Sequence, residues 1–341
     1  MAIESSSESW KKMVLRSMPP PAWLEPDAPD GDVVVSTRHR FARNLCSFRF
    51  PHHASNEELR LIQQQVQSAA KVSPVPLEPM GRLTEAERDY LLGSRLISAD
   101  FSHREVGRSV LLDRSRMVSV MVNEEDHLRI QAVTGGWSAW TAEETCRNIH
   151  DHLARHLSFA KTHEYGYITA CPTNLGVAER RSALFHLIGL ATQGKLPRML
   201  RSLHLMGFVP RGLFGEASRG VAAFIQVSST TSGQEDFRGA CAQLIREERM
   251  ARRETQRSEI TDRALPAIEF AIASKEISLR DALLVLGWVR WAAAVELPGF
   301  KTKAREVDAW TAQMEVFGTQ EASVAARHRA DFLRVRLENL S

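Results

Sequence analysis

The sequence predicts an α+β protein with a small all-helical domain at its C-terminal end. Three observations lead there. Strand-like runs at residues 33–41, 108–112, 117–122 and 224–228 are dispersed among helical patterns, without the regular βαβ alternation of a doubly wound sheet. From residue 234 onward the periodicity is helical. Length and composition suit this plan, because 341 residues at 43% hydrophobic and 25% charged can bury one large core and a smaller one.

Taken in order, residues 1–32 read as an N-terminal arm: a serine-rich cluster from Glu4 to Ser9, a short helix near Trp10–Met18, then Pro19, Pro20, Pro21 and the turn-rich DAPDGD. Val33, Val34 and Val35 begin a strand. Ser55 with Glu58 forms a capping box ahead of Leu59, Ile62, Val66 and Ala69 at helical spacing. Residues 108–112 and 117–122 pair around a turn at 113–116. Thr141 with Glu144 suggests a second capping box, before a stripe of Cys146, Ile149, Leu153 and Leu157. Tyr165–Ala170 is strand-like, Ala178–Thr192 helical and Phe224–Ser228 strand-like again. The charged run REERMARRETQR predicts a solvated helix linking the domain at 33–254 to the helical domain at 255–341. There Ser278 caps a helix carrying Leu283, Leu286, Trp288 and Trp291, and a last helix spans about Ser323–Leu340.

Several function classes are excluded at this stage. The 44 basic and 41 acidic side chains, net +3, are too balanced for bulk affinity to nucleic acid or membrane, so any functional positive charge must be local. The longest apolar stretch, Ala282–Val295, is broken by Arg290 and is shorter than the ~20 residues a bilayer requires. The N-terminal segment has no signal-peptide pattern. Cys46, Cys146, Cys171 and Cys241 are scattered without zinc spacing, which predicts a reducing, cytoplasmic setting.

Four segments carry chemistry. In VMVNEEDHLRI, residues 120–130, a strand delivers adjacent Glu124 and Glu125, a histidine and Arg129 to one place; the carboxylates repel, so at least one should change its proton affinity. In VVVSTRHRF, Arg38 and Arg40 are two residues apart and share a sheet face, while Arg43 is out of phase. Two adjacent guanidiniums repel unless an anion lies between them, and planar forks match phosphate oxygens; a basic edge strand is the plainer alternative. In YITACPTNLGVAERRSALFHL, Cys171 precedes a turn and a predicted helix bearing Arg180, which would favour thiolate, though most free cysteines are small buried hydrophobes. RGLFGE sets Arg211 and Glu216 around two glycines and is weak alone. Their joint occurrence is the signal.

STRHRFARNL, VNEEDHLRIQ, TACPTNLG with Arg180 and Ser182, and RGLFGE resemble the ordered motif set of the ATP:guanido phosphotransferases. Within that family the resemblance is strongest to the bacterial protein arginine kinases, over roughly residues 33–250 and more weakly in the helical tail. It implies a guanido-kinase catalytic domain with a largely antiparallel sheet flanked by helices. It also implies ATP and Mg²⁺ as cofactors and transfer of the γ-phosphoryl group to arginine side chains of proteins. Small-molecule guanido kinases carry a helical domain before the STRxR strand, where this sequence has only an arm.

By the same resemblance, Glu125 is the catalytic carboxylate, Glu216 its partner, and Cys171 the residue that tunes the guanidinium's charge. Arg38, Arg40, Arg129, Arg180 and Arg211 clamp phosphate, no protein metal site is expected, and Glu124 orients a water on magnesium. Implied partners are proteins bearing exposed arginine, a cysteine-rich activator, Clp protease machinery and a second copy in a homodimer, in a setting of protein quality control or stress. The sequence departs from the family pattern at Arg95, where a histidine usually lies beside the adenine, and at Val177, Arg181, Ser218, Arg219 and SSTTSG. Two alternatives remain open at this point: a catalytically weak phosphoarginine- or nucleotide-binding regulator, and a free-arginine kinase.

Overall fold

Alternation of side chains builds the central strand. Val34–Arg43 (β1) is buried along its length except at Arg38 and Arg40, which are half-buried and, being two apart, leave by the same face. In this computed structural model the described residues are 20–73, 75–80, 83–102, 106–212, 220–229, 234–314, 322–338 and 340. The helix expected near residues 10–18 lies outside them, as do Glu216, Ser218, Arg219 and residues 230–233 of SSTTSG.

Around β1 the described residues form an eight-stranded antiparallel sheet with β2 (Glu78–Pro79), β3 (Ser109–Leu112), β4 (Val118–Val122), β5 (Leu128–Gly135), β8 (Glu179–His186), β9 (Val209–Gly212) and β10 (Phe224–Ser228). A separate hairpin joins β6 (Lys161–Thr162) to β7 (Gly166–Tyr167). The sheet order is β2-β3-β4-β5-β1-β8-β10-β9, with every neighbour antiparallel. The three longest helices of this region cover one face. α1 (Asn56–Lys71) and α4 (Ala139–Ala154) bury Ile62, Val66, Cys146 and Ile149 against Phe41, Val120 and Ile130. The Ser55–Glu58 capping box closes reciprocally at the start of α1, at 3.2 and 2.7 Å.

On the other half of the same face, α7 (Gln234–Glu254) buries Phe237, Cys241 and Leu244 against Ala183, Phe185 and Val227. The expected solvated linker is therefore an amphipathic helix with one face in the core, which also buries the Glu248–Arg252 ion pair. Shorter helices α2 (Glu85–Gly93) and α3 (Ala99–Ser102) flank the β3–β4 edge, and α5 (Ile188–Thr192) and α6 (Leu196–Leu205) come after β8.

The C-terminal helices α8 (Arg257–Ala273), α9 (Leu279–Ala294), α10 (Ala304–Gln313) and α11 (Ala322–Leu337) enclose their own core, with Leu286, Val289, Val307 and Leu333. Ser278 caps α9 as expected, accepting from the Asp281 N–H at 3.1 Å. This bundle docks on the sheet domain through buried arginines. Arg290 reaches the Gly31 and Asp32 carbonyls at 2.7 Å each, and Arg305 the Val35 carbonyl at 2.7 Å and that of Trp23; both pair with buried Asp308.

Three local expectations fail. Ala178–Thr192 is not one helix but strand β8 and then the short α5. Its composition, rich in Ala, Arg, Glu and Leu, favours helix, yet pairing with both β1 and β10 overrides propensity. The N-cap of helix α4 is Ser138, three residues before the expected Thr141, and it makes no side-chain cap bond. The chain turns at Gly135–Gly136, where Gly136 has φ 58° and a Cβ would lie 2.0 Å from the Pro29 carbonyl oxygen, and it enters the helix directly. Of Tyr165–Ala170, only Gly166 and Tyr167 are strand.

Candidate active site

Strand register gathers the predicted phosphate ligands on the face opposite α1, α4 and α7. Arg40 lies opposite Arg180 on β8 and Gln131 on β5; Ala42, of the same parity, lies opposite Arg129. Arg38 lies opposite Ser182, whose neighbour in β10 is Ser228; two residues along β10, Gln226 faces Arg211 of β9. Residues paired across antiparallel strands project to the same side, so Arg38, Arg40, Arg129, Arg180 and Arg211 share one face. Such a set is electrostatically frustrated. Burial and then the neighbouring guanidiniums of Arg95, Arg180 and Arg129 push Arg38 down to about 9. Arg40 is pushed down more strongly, by burial first and then by Arg129, Arg38 and Arg180.

What these arginines lack is a carboxylate. Arg38 donates to Ser182 Oγ and Gln226 Oε1, both at 3.3 Å; Arg40 makes no hydrogen bond among the described residues; and the buried Arg180 Nε has no partner there. Only Arg129 is paired, to Glu124, with Glu125 Oε2 at 3.7 Å. A polyanion laid across this face would satisfy donors that the fold leaves empty.

The β4–β5 turn brings the acidic residues to the edge of that face. Asn123 takes φ 57°, a conformation asparagine tolerates, and its amide donates to the Leu59 and Gly107 carbonyls at 2.9 and 2.8 Å. Glu124 is buried and accepts from Ser98 Oγ, Arg129 and, at 3.0 Å, the Glu125 N–H. Burial raises its proton affinity, but Arg129, these hydrogen bonds and Arg40 outweigh it and hold Glu124 below the ordinary carboxylate range. Glu125 is exposed and moves the other way: partial burial raises it, Asp126 and Glu124 add to the rise, and Arg129 and Arg40 only partly offset them. The two adjacent glutamates thus split as their spacing requires. With its oxygens engaged, Glu124 holds Arg129 in place and is poorly disposed to orient a metal-bound water.

Asp126 and His127 are connectors. Buried Asp126 Oδ1 accepts from Asn44 Nδ2 at 2.6 Å and from the Ala170 N–H at 2.7 Å. His127 Nδ1 accepts from the Leu45 N–H at 3.0 Å, so Nε2 carries the proton toward the Arg49 carbonyl at 2.8 Å. The Glu125 turn is thereby tied to the end of β1 and to the residue preceding Cys171. Cys171 is half-buried, with Sγ 3.0 Å from Thr173 Oγ1. Beyond it the chain makes one 3₁₀ turn, Pro172–Asn174, and then enters strand β8, so the helix N-terminus expected to favour its thiolate is missing. Asn44, Asp126 and Gln226 escaped the sequence reading. Only Gln226 left a signal, a polar residue at the inward parity of FIQVS.

Beside Arg38 opens a cavity of about 320 Å³. Trp23, Val35, Leu92, Ile97, Leu184 and Phe224 form apolar walls, Arg95 and Gln226 a polar edge, and Asp308, Thr311 and Ala312 of α10 part of its boundary. On the opposite face of the sheet the guanidinium of Arg181 does have carboxylates. There Arg181, a departure from the family pattern, pairs with Glu179 and lies 3.8 Å from Glu143, while His39 lies 2.8 Å from Glu179. Arg181 is thus isolated from Arg180 by strand parity. Among the described residues no group of three or more His, Cys, Asp or Glu side chains could hold a metal ion, and no helix is long and apolar enough to cross a membrane.

The sequence pattern of the ATP:guanido phosphotransferase C-terminal catalytic domain matches residues 58–250. A protein-arginine kinase of Shouchella clausii is 32% identical over 286 residues, covering 78% of this chain and 80% of that protein. One of Desulforamulus reducens is 30% identical over 359 residues, covering 95% and 98%. Among solved structures, the duplicated taurocyamine kinase of Schistosoma mansoni with bound transition-state analogue components superposes with a TM-score of 0.56 at 25% identity. It covers 68% of this chain, which spans 34% of that longer protein. A lombricine kinase shares the fold with a TM-score of 0.56 at 18% identity, covering 73% of this chain and 79% of that one. An arginine face on which, among the described residues, only Arg129 is paired with a carboxylate, an acidic turn tied to a CPTN loop and a match over more than half the chain agree: the chain belongs to the ATP:guanido phosphotransferase family.

Proposed function

We propose that this protein is a protein arginine kinase, transferring the γ-phosphoryl group of ATP to arginine side chains of other polypeptides. The observation that carries it is the set of arginines on one sheet face, of which only Arg129 has a carboxylate partner among the described residues, next to an exposed glutamate with raised proton affinity. The similarity to protein-arginine kinases over nearly the whole chain supports the choice of acceptor.

Phosphoryl transfer needs positioning and charge neutralisation more than covalent chemistry. Arg38, Arg40, Arg129, Arg180 and Arg211 bind the polyphosphate and stabilise charge on the transferring group. Magnesium, which neutralises phosphate charge when bound, would be carried by nucleotide oxygens and water rather than by a protein cage. The acceptor guanidinium, pKa above ~12, is a poor nucleophile until a carboxylate holds it and takes its proton. Glu125 does this at the turn, with Glu216 as the second carboxylate fixing the angle of attack. Cys171, one residue beyond the Ala170 N–H that Asp126 holds, acts on the acceptor by orientation and electrostatics.

In this reading residues 33–254 are the catalytic domain, 255–341 the helical domain and 1–32 an arm. The protein works in the cytoplasm on exposed arginines, with a cysteine-rich activator, Clp protease machinery and a homodimer as the assemblies to test. The test is incubation of the full chain with Mg²⁺, ATP and casein, then mass spectrometry for acid-labile phosphate on arginine, with free arginine in parallel. Labelled protein arginine that disappears in Glu125→Ala is the expected result. Labelling of free arginine alone would overturn the acceptor assignment, and no labelling with or without an activator would overturn the activity.

A further inference from the structure

Arg43 is a buried arginine with neither an ion pair among the described residues nor a place on the phosphate face. It ends β1 three residues beyond Arg40, so its side chain turns to the helix-covered side of the sheet. It is 2% exposed, burial pushes it down to about 10, and Glu179 acts on it only at longer range. A cage stands where a carboxylate would be. Nε donates to His150 Nε2 at 2.9 Å, and Nη1 to the carbonyls of Ala42, Ala178 and Val177 at 2.7, 3.2 and 3.3 Å. The guanidinium lies 3.6 Å from the centre of the Tyr167 ring and 4.8 Å from that of Phe41. His150 accepts at Nε2 because its proton is on Nδ1, directed at Asp151 Oδ1 at 2.8 Å.

Two of those carbonyls, Val177 and Ala178, form the exit of the Cys171 loop. Residues 171–177 have no buried side chain, so packing does not hold their path. The two ends do. At the entry Asp126 Oδ1 accepts from the Ala170 N–H at 2.7 Å. At the exit Ala178 takes φ 50°, a left-handed conformation unfavourable to a residue with a Cβ, and its carbonyl is held twice, by Arg43 and by the Ala42 N–H at 3.0 Å. Tyr167, on whose ring Arg43 lies, exchanges backbone hydrogen bonds with Gly176 at 2.8 and 3.2 Å. Arg43 therefore grips the loop exit both directly and through Tyr167. Lysine would keep the charge but lose the planar fork that serves His150, the carbonyls and the aromatic ring together.

We propose that Arg43 is a positioning residue: it fixes the Val177–Ala178 exit while Asp126 fixes the Ala170 entry, and so sets where the Cys171 thiol sits against the acceptor guanidinium. The consequence for turnover rests on the arginine kinase proposed above; the placement of the thiol does not. The experiment compares the full-length wild type with Arg43→Lys and with His150→Leu, which removes the acceptor of Nε and keeps Arg43. Iodoacetamide alkylation of half-buried Cys171 is followed against that of exposed Cys46 by mass spectrometry, alongside kcat and KM for phosphorylation of casein arginine. Arg43→Lys should alkylate severalfold faster at Cys171 with Cys46 unchanged, and should lower kcat about tenfold at an unchanged KM for ATP, because a small displacement near the reacting groups is felt in the transition state. His150→Leu should move both readouts the same way by less, and it carries the test alone if Arg43→Lys does not fold. A Cys171 rate unmoved or lowered in a folded variant, a rise shared equally by Cys46, or an unmoved kcat in an active enzyme would each overturn the proposal. If the wild type phosphorylates nothing, the contrast between the two cysteines still decides the placement of the loop, so the two conclusions fall separately.

Discussion

Two groups of arginines withdrawn from solvent, one buried and one half-buried, sit within the same molecule and do opposite things. Arg252, Arg290 and Arg305 bind the helical bundle and α7 to the sheet domain, and each has a carboxylate: Glu248 for the first at 2.6 Å, Asp308 for the other two at 2.7 and 2.8 Å. Their remaining donors reach backbone carbonyls at residues 23–35 and 186. Arg38, Arg40 and Arg180 have neither carboxylates nor a full set of carbonyls among the described residues. Neither group is exposed, so partial withdrawal from solvent is not what distinguishes function from structure here. The identity of the partner does: a guanidinium matched to a carboxylate is finished, and one facing other guanidiniums awaits an anion.

The strongest way to break this contrast is to delete one member of each group. Arg40→Met should reduce phosphoryl transfer by roughly 10²–10³-fold, as loss of a transition-state donor does, while leaving the thermal midpoint unchanged or raised because it removes like-charge repulsion. Parallel assays of transfer and melting check it; a marked fall in midpoint would mean that Arg40 is structural. Asp308→Ala should do the reverse. It strips the carboxylate from two buried arginines and should cost about 3–5 kcal/mol in denaturant unfolding. Stability within about 1 kcal/mol of wild type would remove the distinction.

A smaller effect tests the loop that Asp126 anchors. Cys171→Ser should lower transfer about tenfold, the equivalent of about 1.4 kcal/mol, without altering stability. Among the described residues its thiol has one hydrogen-bond partner, Thr173 Oγ1, so no buried polar network depends on it. Unchanged turnover would confine Cys171 to a spectator position and leave Glu125 and the arginines as the whole of the described site.

Much of this was legible in the sequence, for identifiable reasons. Arg38 and Arg40 were readable because strand periodicity is two, so their shared face comes from spacing alone. Ser55–Glu58 and Ser278 were readable because caps are local chemistry. The β8 strand was not, since its alternation of Arg180, Ser182 and Leu184 against Arg181, Ala183 and Phe185 is hidden by helix-favouring residue types. Its misassignment carried Arg180 and Cys171 to the right neighbourhood on the wrong backbone. Links between distant segments, such as Asn44 with Asp126 and Arg290 with Asp308, left no trace in the sequence because both partners are ordinary polar residues 82 and 18 positions apart.

The paired-against-unpaired contrast extends to carboxylates, where the expected effect is smallest and its sign can be worked out. Glu124 is held below the ordinary range, so its stabilising contribution is present above the unfolded pKa and fades only as pH falls through its lowered folded value. Glu125 lies above the ordinary range; it takes up its proton first on acidification, and protonation does not oppose the fold. A general base must be ionised to act, so transfer should decline at a higher pH than the one at which the fold is lost. Rates and circular dichroism tracked together through the acid range should show two separate transitions, with Glu125→Gln inactive across the range but unfolding at the same acid pH as wild type. A single shared transition would mean that loss of the Glu124–Arg129 pair, not protonation of Glu125, limits the enzyme in acid.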